Sequence, residues 1–236
     1  MITEAVILAG GLGTRLRPVV NDVPKPLALV GGRPFLEYQL DYLIAQGIGR
    51  VVFSVGYLWH KIEQHFGDRY KTLSIAYAVE AQPLGTGGGL LQAAELCQPD
   101  TGLLVLNGDT WFPVPVTELA AVQRQHQTDV TIALRQANSG GRYAGIVLDD
   151  NNRIVNFLSS GDEGSGWING GVYLISPQIL AHWRSQSGKP LSLEQDLLEK
   201  GIAAGLSCYG YPATAAFIDI GVPEDYARAV SVIKSE

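Results

Sequence analysis

A chain of 236 residues in which 46% of positions are hydrophobic is long enough to bury a full core, and residues 1–236 are expected to form a single domain. A formal net charge of −6 argues against nucleic acid or an anionic membrane surface as partner. The balance reverses between Met1 and Phe35, where Arg15, Arg17, Lys25 and Arg33 face only Glu4 and Asp22, a pattern suited to a small anionic substrate.

The first predicted element is a strand over Ala5, Val6, Ile7 and Leu8, entered with no basic region and long apolar run of an export signal before it. It stops in Ala9-Gly10-Gly11-Leu12-Gly13-Thr14-Arg15-Leu16-Arg17. Gly10, Gly11 and Gly13 lack a Cβ, so consecutive backbone N–H groups can turn toward a phosphate, and Arg15 and Arg17 add charged donors. The loop is neither a Gly-Lys-Ser/Thr phosphate loop nor Gly-x-Gly-x-x-Gly, because Leu16 stands where a third glycine would be. Lys25 follows between Pro24 and Pro26, which stiffen the backbone that carries it.

Pro34 reads as a first-turn helix residue, with Phe35, Leu36, Leu40, Leu43 and Ile44 at helical spacing up to Gly47. A strand over Arg50–Val55, a helix over Tyr57–Phe66 and a strand over Leu73–Val79 continue the alternation of parallel β-α-β units, whose ligands sit at the carboxyl ends of the strands. His60 and His65, five apart in the helix, do not share a face and are expected to be solvated. Glu80 to Gly89 reads as a second glycine-rich turn ahead of a helix over Leu90–Leu96. The strand Gly102–Leu106 ends in Asn107-Gly108-Asp109-Thr110, where a carboxylate beside a glycine suits oxygen coordination of magnesium. Strands over Thr128–Leu134, Tyr143–Leu148, Arg153–Phe157 and Trp167–Ile175 follow, with Asp149-Asp150-Asn151-Asn152 as a hairpin turn. Helices are expected over Pro177–Arg184, Leu193–Lys200 and Pro223–Lys234. Asp219, flanked by Ile218 and Ile220, is a carboxylate in apolar surroundings that needs a partner or an ion. Cys97 and Cys208 lack metal-ligand spacing and read as reduced core thiols. No apolar run approaches the roughly 20 residues of a membrane span, and the expected setting is the cytoplasm.

Ala9 to Leu16 followed by Pro24-Lys25-Pro26-Leu27 resembles the signature of the sugar-1-phosphate nucleotidyltransferases, or NDP-sugar pyrophosphorylases. The resemblance implies an α/β Rossmann-like nucleotidyltransferase fold: a mostly parallel central sheet flanked by helices, with a smaller sugar-facing β layer. No hexapeptide repeat follows, so the left-handed β-helix of some relatives is not expected. The implied reaction joins a nucleoside triphosphate to a sugar 1-phosphate with release of pyrophosphate, aided by Mg2+. By the same resemblance Arg15 contacts the departing pyrophosphate and Lys25 the reacting α-phosphate, with Asp109 as third catalytic residue. The nucleotide is held by Leu8, Ala9, Gly10, Gly11, Gly13, Thr14, Arg15, Lys25, Glu80, Pro83, Gly85, Thr86, Asn107 and Gly108. The sugar phosphate meets Asp109, Gly145, Asn169 and Gly170, and the metal ligands are Asp109 and Asp219.

The sequence departs from the family in one place. Many relatives carry Glu-Lys after the strand corresponding to Arg153–Phe157, where this chain has Leu158-Ser159-Ser160, so Arg142, and after it Lys189, becomes the candidate cation for the sugar phosphate. Within the family, Val105 to Phe112 and Ile168 to Tyr173 are most similar to the guanylyltransferases acting on D-glycero-D-manno-heptose 1-phosphate. Mannose 1-phosphate guanylyl transfer and N-acetylmuramate 1-phosphate uridylyl transfer fit the same motifs. An NDP-sugar-dependent glycosyltransferase would not need Arg15 and Lys25, and a non-catalytic nucleotide-sugar sensor would not need Asp109, Asp219 and Lys25 together. A homo-oligomer is compatible with the sequence.

Overall fold

The computed structural model describes residues 1–11, 16, 23–99, 101–136, 144–160 and 166–234. The chain opens with β1 (Glu4–Leu8), a 3-10 turn over Lys25–Leu27 and the short hairpin β2 (Leu29–Val30) and β3 (Arg33–Pro34). Then come α1 (Phe35–Ala45), β4 (Arg50–Val55), α2 (Trp59–Phe66), β5 (Arg69–Tyr70), β6 (Leu73–Val79), α3 (Gly85–Ala94), β7 (Leu103–Asn107), β8 (Thr110–Trp111) and α4 (Val116–His126). The second half contributes β9 (Val130–Gln136), β10 (Ala144–Leu148), β11 (Ile154–Ser160), β12 (Trp167–Ile175) and α5 (Pro177–Trp183). A π-helical segment over Leu193–Glu199 runs into α6 (Lys200–Ala203), followed by β13 (Cys208–Ala213), β14 (Ile218–Asp219) and α7 (Pro223–Ile233).

Among the described residues, ten strands form one sheet. Its centre is the parallel block β7-β1-β4-β6, and Ala5, Val6 and Ile7 of β1 are fully buried because helices cover both faces. Alternation along the strand sends Ile7 into one core with Phe35, Leu36, Leu40 and Leu43 of α1, and Val6 into a second core with Leu90 and Leu91 of α3. The expected sugar-facing strands form the antiparallel half of this sheet, joined where β12 pairs with β7. β12 carries β9 along its other side, β10 pairs with its start and with β11, and β13 runs parallel to β9. Between Asn169 and Tyr173 the β9–β12 register slips, and Gly171 takes φ +72°, so the strand bulges over the end of β7. β8 and β14 form a separate antiparallel ribbon.

Several boundaries differ from the sequence reading. Pro34 is extended (ψ 135°) and precedes the helix, pairing with Leu29, so α1 begins at Phe35. α2 begins at Trp59 because Leu58 is left-handed (φ 57°). The glycines read as a turn are the first turns of α3, which starts at Gly85. Each glycine weakens a helix by about 1 kcal/mol relative to alanine. The bare backbone instead admits the segment 189–192: Gly87 and Gly88 donate to the Leu191 carbonyl at 2.8 and 3.3 Å, and Leu191 N donates to Leu84 O at 2.8 Å. Asp149–Asn152 is a turn as expected, its Asp149 carboxylate accepting from Asn151 N and Arg153 N at 2.9 Å. α4 and β13 lie in stretches to which the sequence reading assigned no element. Cys97 and Cys208 are both buried and free, and burial pushes the Cys97 thiol up to about 12. No helix among the described residues is long and apolar enough to cross a membrane.

A Cβ at Gly88 would lie 2.4 Å from the Lys189 carbonyl oxygen, a backbone atom that cannot swing aside. Gly88→Ala is therefore expected to destabilise the protein by about 2 kcal/mol despite the better helix propensity of alanine. A urea unfolding midpoint equal to or above wild type would contradict that packing.

Candidate active site

The carboxyl ends of the parallel strands are stitched together. Ala9 N donates to Ser54 O at 2.8 Å, Glu80 N to Val55 O at 2.8 Å and Gly108 N to Leu8 O at 2.9 Å. A cleft of about 750 Å³ opens above this edge, large enough for a nucleotide. Twelve residues named from the sequence line it: Leu8, Ala9, Gly10, Gly11, Lys25, Glu80, Pro83, Gly85, Thr86, Asn107, Gly108 and Asp109. Gly221 borders it too. Close approach explains two of the glycines. A Cβ at Gly108 would lie 2.7 Å from Leu8 O, and one at Gly10 would lie 2.5 Å from Glu80 Oε1. The Glu80 carboxylate is tied into the wall, accepting from Leu84 N at 2.8 Å and Ser54 Oγ at 3.3 Å.

At one end of the cleft the β8–β14 ribbon sets Asp219 opposite Thr110, beside Asp109. Ile220 N donates to Asp109 O at 2.9 Å and Gly221 N to Asp219 Oδ1 at 2.7 Å. The Lys25 ammonium donates to Asp109 Oδ2 and lies 3.8 Å from Asp219 Oδ1, with its side chain only 10% exposed. Two carboxylates far apart in sequence thus converge on one cation. Two hard oxygen ligands beside a nucleotide-sized cleft fit magnesium, which is bound by one or two carboxylates plus substrate phosphates and waters. Among the described residues no group of three or more His, Cys, Asp or Glu side chains could hold a metal.

Two supports escaped sequence reading. Gln39, buried on α1, donates both amide hydrogens to the turn that carries Asp109: Nε2 lies 2.8 Å from Asn107 O and 2.8 Å from Thr110 O. A lone glutamine in an amphipathic helix carries no signal of that role. At Gly221 a Cβ would lie 2.7 Å from Asp219 Oδ1 and 2.9 Å from Lys25 Nζ.

At the β12 bulge, Asn169 Nδ2 donates to the Tyr173 hydroxyl at 2.7 Å and Asn169 Oδ1 accepts from Gly171 N at 2.9 Å. That leaves one amide hydrogen and one lone pair for another partner. Tyr173 is fully buried and donates to Glu194 Oε1 at 3.0 Å; burial and the Glu194 carboxylate hold the phenol well above its usual pKa. Glu194 Oε2 in turn accepts from Thr86 Oγ1 at 3.3 Å, so one polar chain links Thr86 on the cleft wall to Asn169. Gly170 packs against Phe112, where a Cβ would lie 2.4 Å from the ring. Gly145 is buried in β10 opposite Ile168 and does not line the cleft. Gly13, Thr14, Arg15, Arg17 and Arg142 lie outside the described residues. Lys189 is exposed, its carbonyl set against Gly88, and is not among the residues lining the cleft.

Residues 4–236 match the family model described as Nucleotidyl transferase. The chain belongs to this family. It is 42% identical over 226 residues, 96% of each chain, to the D-glycero-alpha-D-manno-heptose 1-phosphate guanylyltransferase of Aneurinibacillus thermoaerophilus. The enzyme of the same description from Campylobacter jejuni is 36% identical, over 94% of this chain and 96% of that one. Among solved structures, HddC from Yersinia pseudotuberculosis complexed with GMP-PN superposes with a TM-score of 0.81 at 30% identity, covering 99% of this chain and all of that one. The protein is thus a sugar-1-phosphate nucleotidyltransferase, and the mixed α/β sheet is the nucleotidyltransferase fold.

In this nucleotidyltransferase, a methyl group at Gly221 would press between Asp219 and Lys25. Gly221→Ala is expected to lower kcat at least ~10-fold while shifting the melting temperature by only a few degrees, a split between local charge geometry and fold. Wild-type kcat in the variant would show that this close approach does not matter.

Proposed function

We propose that the protein transfers a guanylyl group from GTP to D-glycero-D-manno-heptose 1-phosphate, giving the GDP-sugar and pyrophosphate. One observation carries the chemistry: Asp109 and Asp219 share the Lys25 cation at the end of a glycine-lined cleft. The choice of base and sugar is supported by the names of the relatives and by coverage of nearly their whole length.

A phosphate monoester has its second pKa near about 6, so the attacking oxygen is already largely anionic at neutral pH and no side-chain base is needed. That oxygen forms a bond to the α-phosphorus as the bond from the α-phosphorus to the bridging oxygen breaks, and pyrophosphate leaves with the electron pair. The obstacle is repulsion between two anions. Asp109 and Asp219 would hold Mg2+, which when bound supplies positive charge at the reacting phosphates. Lys25 then turns its ammonium toward the α-phosphate, and the N–H groups of Gly10 and Gly11 receive the triphosphate. Arg15 is assigned to the departing pyrophosphate. Glu80, Pro83, Gly85 and Thr86 border the base, and Asn169 and Gly170 the sugar. A cytoplasmic setting fits two buried free thiols.

The test is pyrophosphate release from four nucleoside triphosphates against several sugar 1-phosphates with magnesium. The highest kcat/KM is expected for GTP with the heptose phosphate. Asp109→Asn is expected to reduce turnover at least ~1000-fold with the fold intact, and chelation of divalent cations to abolish it reversibly. Wild-type turnover by the variant would remove Asp109 from the metal site, and preference for another pair would replace the substrate assignment.

A further inference from the structure

We propose that Arg135 reads the end of the sugar farthest from its phosphate and so determines specificity in the reaction proposed above, on which this inference rests. The argument starts on β14. Ile218 is buried in the core, so strand alternation puts Phe217 and Asp219 together on the opposite face, about 7 Å apart. The Phe217 ring meets Phe112 edge-on, with centroids 5.6 Å apart at 82°, and Phe112 in turn packs against Gly170. These two rings form a floor joining the carboxylate pair to the Asn169-Gly170 bulge. Above that floor lies Arg135 of β9, its guanidinium carbon 5.1 Å from the Phe217 centroid. Its backbone is opposite Ile168, next to Asn169.

Carboxylate, aromatic ring and guanidinium are therefore neighbours in that order. A pyranose whose phosphate lies beside the cation that Asp109 and Asp219 would hold would pass the edge of Phe217, whose face Arg135 covers, and its exocyclic carbons would reach the guanidinium. Arg135 is half-buried and, among the described residues, its guanidinium forms no ion pair. Lying over a ring occupies its face and leaves the edge N–H donors for acceptors such as vicinal hydroxyls. A side chain extended by one hydroxylated carbon offers one more acceptor than a six-carbon sugar does.

The comparison that tests this is kcat/KM with GTP for heptose 1-phosphate against mannose 1-phosphate, which share ring and phosphate and differ by one hydroxylated carbon. R135A is expected to lower the heptose-to-mannose selectivity ratio at least ~10-fold, mainly through KM of the heptose phosphate, with KM for GTP within about twofold of wild type. R135K is expected to recover part of it. Should R135A melt early, R135Q, which keeps the stem over Phe217, carries the same comparison. A ratio unchanged within about twofold would overturn the assignment, whether both sugars lose activity together or neither does. A wild-type enzyme inert toward both sugars is a different result, seen before any substitution, and would overturn the proposed function and this inference together.

Discussion

Two ionised carboxylates brought to one point repel each other unless a cation lies between them. At 4 Å, like charges repel by about 4 kcal/mol at the effective dielectric of a protein surface. Asp109 and Asp219 approach one point, and the Lys25 ammonium lies between them. The structure around them enforces that meeting: the β8–β14 ribbon supplies the register, Gln39 clamps the turn from α1, and Gly221 leaves the space. The same carboxylates that satisfy the lysine suit a divalent ion. A triphosphate in the cleft would offer Lys25 an anionic partner of its own.

Placement of this charged knot follows from the sheet. Buried parallel strands must end at an edge where loops carry the chemistry, and here β1, β4, β6 and β7 end together, bonded through Ala9, Glu80 and Gly108. Gly10, Gly56 and Gly108 let backbones and Glu80 approach at that edge where side chains would intrude. The chain Thr86–Glu194–Tyr173–Asn169 ties the cleft wall to the β12 bulge by hydrogen bonds.

Much of this was legible beforehand, for identifiable reasons. Arg50–Val55, Leu73–Val79 and Trp167–Ile175 match to the residue, because apolar runs bounded by turn residues leave little choice. α4 was not read, since Val116–His126 buries only Val116, Leu119 and Gln123 and shows little periodicity. β13 contains Gly210 and Pro212, which speak against a strand, yet as a neighbour of β9 it tolerates them. The helical glycines of α3 contradict propensity because a non-local segment, 189–192, stabilises them. In the site, the residues along strand ends were readable as motif. Gln39, Gly221 and Glu194 were not, because each acts through a contact with a distant part of the chain.

Anomalous diffraction from crystals grown with Mn2+ and a non-hydrolysable GTP analogue tests the central claim most directly. The account predicts a metal peak coordinated by both Asp109 and Asp219, with the triphosphate running along Gly10 and Gly11 and the Lys25 ammonium moved onto a phosphate oxygen. A metal peak away from that pair, or a triphosphate bound elsewhere with Lys25 still between the carboxylates, would contradict it.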